Sequence, residues 1–270
     1  MIFEVVNCEK NKRRNWTKDE IILALYEYNQ IEYGKIHSTN KDIIKLAQKI
    51  GRTPSAVAMK ILNLASYDLT LRKRNVSGLK NASKLDKIVW DEFEGRIGIL
   101  CDEVERIGRE CENEIYSLQY EYINEEFKQY VIRGEDVESI VKVRRNQAYF
   151  RRMVLTAYSN RCCISGVNIP ELLIASHIKP WKDSDDHTEK VNPRNGLCLN
   201  ALYDKAFDLG YITVDKMYKI HVSNKIKKKY NNELVSTLFY NLEYKSIEVP
   251  EKFTPDKRFL EYHNDVIFVK

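Results

Sequence analysis

Three short blocks decide how the back half of the chain folds: Ala175-Ser176-His177-Ile178-Lys179-Pro180-Trp181, Asn192-Pro193-Arg194-Asn195-Gly196-Leu197, and Ala201-Leu202-Tyr203-Asp204-Lys205-Ala206-Phe207-Asp208. The first continues an apolar run from Glu171 to Ile178 and reads as a strand ending at the histidine. The third has helical spacing and is stopped by Gly210, after which 211–214 and 218–222 read as a hairpin around Asp215-Lys216-Met217. Upstream, Arg161-Cys162-Cys163-Ile164-Ser165-Gly166 reads as a strand ending in a turn. It follows a helix with Phe150, Val154, Ala157 and Tyr158 on its buried side.

Chemistry follows from these placements. Residues four apart on a helix share a face, so Asp204 and Asp208 project together. Two hard oxygen ligands on one face, completed by water and phosphate, suit Mg²⁺ or Mn²⁺. His177 at a strand end is placed to take a proton from water. Asn195 in the intervening loop can hydrogen-bond the backbone beside that histidine and fix its orientation. A base, an orienting amide and a helix-borne metal site together suit hydrolysis of a phosphodiester.

In this order the blocks resemble the HNH endonuclease family, over roughly residues 140–225. Trp16-Thr17, Gly51-Arg52-Thr53-Pro54-Ser55-Ala56, the Arg144–Phe150 lead-in and Phe259-Leu260-Glu261-Tyr262-His263 are similar to bacterial HNH proteins of the restriction-endonuclease type. The resemblance implies a C-terminal ββα-metal domain, with His177 as general base and Asn195 as the middle asparagine. Asp204 and Asp208 stand where the family's final histidine or its substitutes bind metal. Two positions depart from the pattern. Ser176 stands where many members place an Asp or His ligand, and Tyr203 stands where many close relatives carry His. The implied activity is a metal-dependent DNA endonuclease serving restriction or defence. Its rivals are an HNH-fold DNA-binding protein with impaired catalysis and a nuclease acting on RNA or single strands.

The front half is helical, which makes the whole chain α+β. Residues 15–66 read as three short helices. Thr17 and Glu20 form a capping box for the first, the second begins near Ser38-Thr39-Asn40 and stops at Gly51, and Thr53-Pro54 opens the third. The link Gly51-Arg52-Thr53 has helix-turn-helix spacing, with Arg52, Ser55, Lys60 and Asn63 as exposed candidates for base contacts and Arg72-Lys73-Arg74 following. A plain three-helix bundle making protein contacts has the same spacing. Residues 82–132 read as helical. Ile97, Leu100, Val104, Ile107, Cys111 and Leu118 form an apolar stripe that fits either a homodimeric coiled coil or a helix lying on its own domain. The expected organisation is a helix-turn-helix-like module over 1–80, a helical linker over 81–138 with a break near 133–136, and a nuclease domain with a helical tail over 139–270.

Composition bounds the rest. The 270 residues hold 44 basic and 39 acidic side chains, a net charge of +5 that is compatible with nucleic acid without arguing for it. Arg144, Arg145, Arg151, Arg152, Arg161 and Lys179 are the candidates for phosphate contacts to duplex DNA. Low complexity is confined to the short Lys225-Ile226-Lys227-Lys228-Lys229 run. No apolar stretch is long enough to cross a membrane, and residues 1–8 lack the features of a signal peptide. The six cysteines make no C-x-x-C pair, so Cys162-Cys163 reads as buried reduced thiols in a cytoplasmic protein. His37, His187, His221 and His263 read as ordinary residues, His187 alone being placed to reach phosphate.

Overall fold

Short-range hydrogen bonding sets the helix boundaries in the first half of the chain. In the computed structural model, which describes residues 14–73, 82–110, 137–230 and 232–270, α1 (Lys18–Gln30) starts at a complete capping box. Thr17 Oγ accepts from Glu20 N while the Glu20 carboxylate accepts from Thr17 N. Asn40 caps α2 (Lys41–Lys49), which ends before Gly51 at φ +62°. Thr53 caps α3 (Pro54–Ala65), with Pro54 in the first turn where a missing N–H costs nothing. A short α4 (Leu69–Lys73) follows, and Ser83 and Asp86 form a second capping box for α5 (Lys84–Phe93).

By its contacts the chain divides into two units, Met1–Glu94 with Glu103–Ile107 and Gly95–Asp102 with Gly108–Lys270. In the first, Ile21, Ile43, Val57, Ile61 and Leu64 are wholly buried where α1, α2 and α3 meet. The α5 helix, expected in a linker, packs on α1 and α3 through Val89 and Phe93. The expected continuous helix over 82–132 is broken at Glu94-Gly95-Arg96, where Gly95 takes φ +71°, and α6 (Ile97–Glu110) begins after it. Ile97, Leu100, Val104 and Ile107 are buried within the single chain, so this part of the stripe is not free for self-association. Cys111, Leu118, Arg74 and the break near 133–136 lie outside the described residues, as do the side chains of Arg72 and Lys73.

The exposure expected of the helix-turn-helix candidates is corrected at three of four positions. Arg52 donates to both carboxylate oxygens of Glu20 at 3.1 and 2.7 Å and stacks 4.0 Å over Trp16. Lys60 is buried against Asp86 at 2.7 Å, and Asn63 is buried as well. The polar ends of Arg52 and Lys60 are occupied by partners far along the chain, which helical spacing alone does not reveal. Ser55 is exposed.

The second unit is built on α7 (Val137–Ala157) and two small antiparallel sheets. β1 (Leu173–His177) pairs with β2 (Gly196–Asn200), Ser176 facing Leu197 and His177 facing Gly196. α8 (Ala201–Asp208) follows directly, capped by Asn200 Oδ1 on Tyr203 N at 2.9 Å, and packs against β1 and β2. β3 (Ile212–Val214) and β4 (Ile220–Val222) form the second sheet, followed by α9 (Asn224–Lys229), α10 (Glu233–Leu238) and α11 (Lys257–Tyr262). The strand expected at 161–166 is instead a tight turn. Gly166 N donates to Cys162 O with Gly166 at φ +72°, and Cys163 N reaches Cys198 O at 2.8 Å. Cys101, Cys162, Cys163 and Cys198 are buried; burial pushes the Cys163 thiol well up and the Cys198 thiol to about 12. None of the described helices is long and apolar enough to cross a membrane.

Candidate active site

The end of β1 carries candidate residues on both of its faces. Neighbouring strand residues point to opposite faces, so Ser176 and His177 leave β1 on different sides. His177 turns toward α7, where its ring stacks on Phe150 at 3.9 Å and 13°, with Trp181 edge-on at 5.4 Å. Gly196, opposite His177, leaves room for this stack: a Cβ there would lie 2.9 Å from Phe150 Cζ and would also collide with Val154. The His177 Nε2 lies 2.9 Å from the Lys190 carbonyl. A carbonyl only accepts, so Nε2 carries the proton and Nδ1 keeps its lone pair. Burial holds the imidazole below its ordinary pKa, which keeps it neutral and proton-accepting near pH 7.

Asn195 is wholly buried and ties together the loop that follows His177. Its Oδ1 accepts from Lys179 N at 2.8 Å, and its Nδ2 donates to Lys179 O at 3.1 Å and Ser184 Oγ at 3.3 Å. The Asn195 carbonyl also receives Ile178 N at 3.0 Å. The asparagine therefore clamps the residues directly after the imidazole. At the far side of the loop, Gly98 N donates to His187 O at 3.2 Å, and a Cβ on Gly98 would sit 2.6 Å from that oxygen.

The other face of β1 meets α8. Ser176 Oγ is buried, aims at the Asp204 carboxylate, and makes no hydrogen bond of regular geometry. Burial raises the Asp204 pKa, opposed by Ser176 and Lys205. Burial and then the nearby Asp204 charge raise that of Asp208, with Lys205 again opposing. Two half-buried carboxylates, one raising the charging cost of the other, next to a buried hydroxyl without a regular hydrogen bond form a donor set that a divalent cation relieves. Among the described residues no three His, Cys, Asp or Glu side chains gather into a closed metal cage. The arrangement thus suits an ion held by two carboxylates and completed by water and phosphate. No hydrogen bond or ion pair joins His177 to either aspartate among the described residues.

The remaining candidates divide by what they touch. Tyr203 points away from the carboxylates; its hydroxyl donates to Leu238 O at 3.1 Å and its ring lies edge-on to Phe239 at 6.1 Å. Arg151 is occupied by the entry to β1, donating to Leu173 O at 2.7 Å and Pro170 O at 3.3 Å. Lys179 pairs with Glu189 at 2.5 Å. Arg144 and Arg145 are half-buried, whereas Arg152 and Arg161 are exposed. Reading the sequence missed the Lys190 carbonyl that sets the His177 tautomer and the role of Lys205 between the two carboxylates. Lys205 was visible as the one cation between Asp204 and Asp208, but the carbonyl had no side-chain signal at all.

Residues 162–215, which hold β1, β2 and α8, match the family model of the HNH endonuclease. The chain carries an HNH domain. No curated protein matches the chain. An HNH domain is a nuclease domain whose substrate is nucleic acid, and HNH nucleases typically use a divalent metal.

Proposed function

We propose that the HNH protein is a metal-dependent endonuclease of duplex DNA, using His177 as general base and Asp204 and Asp208 as ligands of one Mg²⁺ or Mn²⁺ ion. The observation that carries this reading is the tautomer of His177. The bond from Nε2–H to Lys190 O leaves a neutral Nδ1 as the open proton acceptor at the end of β1. Phe150 and Trp181 restrict the ring to that orientation, and Asn195 holds the backbone that follows it. A water proton passes to Nδ1 as the water oxygen attacks phosphorus. The ion, when bound, supplies Lewis-acid neutralisation of the phosphate and of the departing 3′ oxygen. A role in restriction or defence follows from the likeness of Trp16-Thr17 and Gly51–Ala56 to the front halves of such proteins.

Plasmid nicking with Mg²⁺, with Mn²⁺ and with EDTA tests the proposal, alongside single-stranded DNA and RNA of the same sequence. Duplex DNA is cut only with metal. His177→Ala loses on the order of 10²–10⁴-fold in rate, while DNA affinity is retained. Asp204→Ala and Asp208→Ala cut poorly at any metal concentration. Undiminished cutting by His177→Ala removes it as the base, and DNA binding without any nicking by the parent identifies an impaired HNH fold.

A further inference from the structure

The α9 helix carries a charge that nothing in the site accounts for. Between Asp215 and Glu233 the chain holds Lys216, Lys219, Lys225, Lys227, Lys228 and Lys229 and no acidic residue. On α9, Lys225, Lys228 and Lys229 are exposed and have no acidic partner among the described residues. The acid that reaches this helix is already committed inward. Glu243 accepts from Lys227 Nζ at 2.6 Å and from Val222 N at 3.0 Å, with His221 Nδ1 at 3.4 Å. Lys225 lies three and four residues from Lys228 and Lys229, spacings at which like charges on a helix repel. The outward face therefore works against the short helix that displays it, and a polyanion laid across it removes that repulsion.

The helix is also tied to the α8 helix that bears Asp204. The Tyr240 hydroxyl lies 3.2 Å from Ile226 O and 3.4 Å from Lys227 O and also reaches Tyr230 O, which anchors the end of α9 to residue 240. Two residues earlier, Leu238 O receives the Tyr203 hydroxyl, and Phe239 abuts the Tyr203 ring. One short segment, 238–240, thus fastens the lysines to the helix of the candidate metal ligands. We propose that Lys225, Lys228 and Lys229 form a contact surface for the phosphate backbone of duplex DNA flanking the bond to be cut. This rests on the reading of the protein as a nuclease of duplex DNA. It adds a surface beyond the 162–215 segment that matches the family.

Binding of a labelled duplex across a KCl series, in EDTA so that nothing is cut, tests the surface. Each phosphate neutralised contributes about 0.9 to the slope of log affinity against log salt. The triple variant Lys225→Gln, Lys228→Gln, Lys229→Gln should lower that slope by about 2–3 and weaken binding roughly tenfold or more at low salt. The triple Lys→Arg variant should restore both, and the melting temperature of each variant reports whether the fold is kept. Metal-dependent hydrolysis of bis(4-nitrophenyl) phosphate, too small to span the surface, should be the same in parent and triple Gln variant. An unchanged slope and affinity in a folded triple Gln variant overturns the proposal, as does loss of binding to anionic lipid vesicles with DNA binding intact. A parent that hydrolyses no phosphodiester overturns the nuclease reading instead, and the salt slopes still decide the surface.

Discussion

Acid should unlatch the α8 helix through His263, and the cost follows from the geometry around that ring. His263 is 2% exposed and stacks on Phe207 at 3.6 Å and 12°. Its Nε2 donates to Phe207 O at 3.1 Å, so Nδ1 holds the lone pair and accepts from the Thr213 hydroxyl at 2.8 Å. A proton added at Nδ1 would point at that hydroxyl, and Thr213 is itself wholly buried. Burial holds the His263 pKa at about 4, against an ordinary 6.5. Between those values the unfolded chain binds more protons than the folded one, so this stability is complete above the unfolded pKa and is lost as pH falls toward 4. Moving from pH ~7.5 to ~5 should cost about 2 kcal/mol, and the whole difference approaches about 3 kcal/mol. Urea denaturation of parent and His263→Gln at the two pH values reads the effect, since glutamine keeps one donor and one acceptor but does not titrate. The parent should lose about 2 kcal/mol more than the variant on acidification. Identical pH dependences would refute the reasoning, because every other titrating group is common to both proteins.

Other perturbations act on packing. Lys60→Met leaves the Asp86 carboxylate buried without its partner and should cost about 3–5 kcal/mol in thermal or urea denaturation; Lys60→Met with Asp86→Leu should recover part of that loss. Gly196→Ala pushes a methyl group into Phe150 and Val154, so it should destabilise by about 1–3 kcal/mol and reduce plasmid nicking further by disturbing the stack on His177. Tyr203→Phe loses the bond to Leu238 O, about 1 kcal/mol in a melting experiment, and should cut nearly as well as the parent. A rise in nicking by orders of magnitude in Tyr203→His would instead make position 203 the ligand site.

How legible the molecule was depended on how far each interaction reaches along the chain. The caps Thr17, Asn40 and Thr53 bond backbone two or three residues away, so the sequence displays donor and acceptor side by side. Arg52 and Lys60 find their acids 32 and 26 residues away, at Glu20 and Asp86, and helical spacing alone made them look available to DNA. The turn at 162–166 misled for a related reason. Cys162 and Cys163 are buried as strand residues would be, but Cys163 bonds two separate segments, its N–H to Cys198 O and its carbonyl to Glu248 N, rather than one partner strand. The break before α6 turns on Gly95 at φ +71°, a conformation that glycine permits but does not announce.

The site shows the same division at shorter range. Strand alternation requires Ser176 and His177 to face opposite ways, and helix periodicity puts Asp204 and Asp208 on one face. Pattern alone cannot say which packed element each face meets, and here the answer separates roles: the imidazole lies against α7 and the carboxylates lie with Ser176. Tyr203 is the sharpest case. Read as one position in a motif, it looks like a residue replacing a metal-binding histidine. One residue of helix is a turn of about 100°, and that rotation carries its hydroxyl away from Asp204 to Leu238 O. The phenol therefore acts as a strut between α8 and the segment that anchors the α9 lysines. A histidine there would be too short to reach as a phenol does, so Tyr203 adds its own tie between α8 and the segment on which the basic helix is anchored.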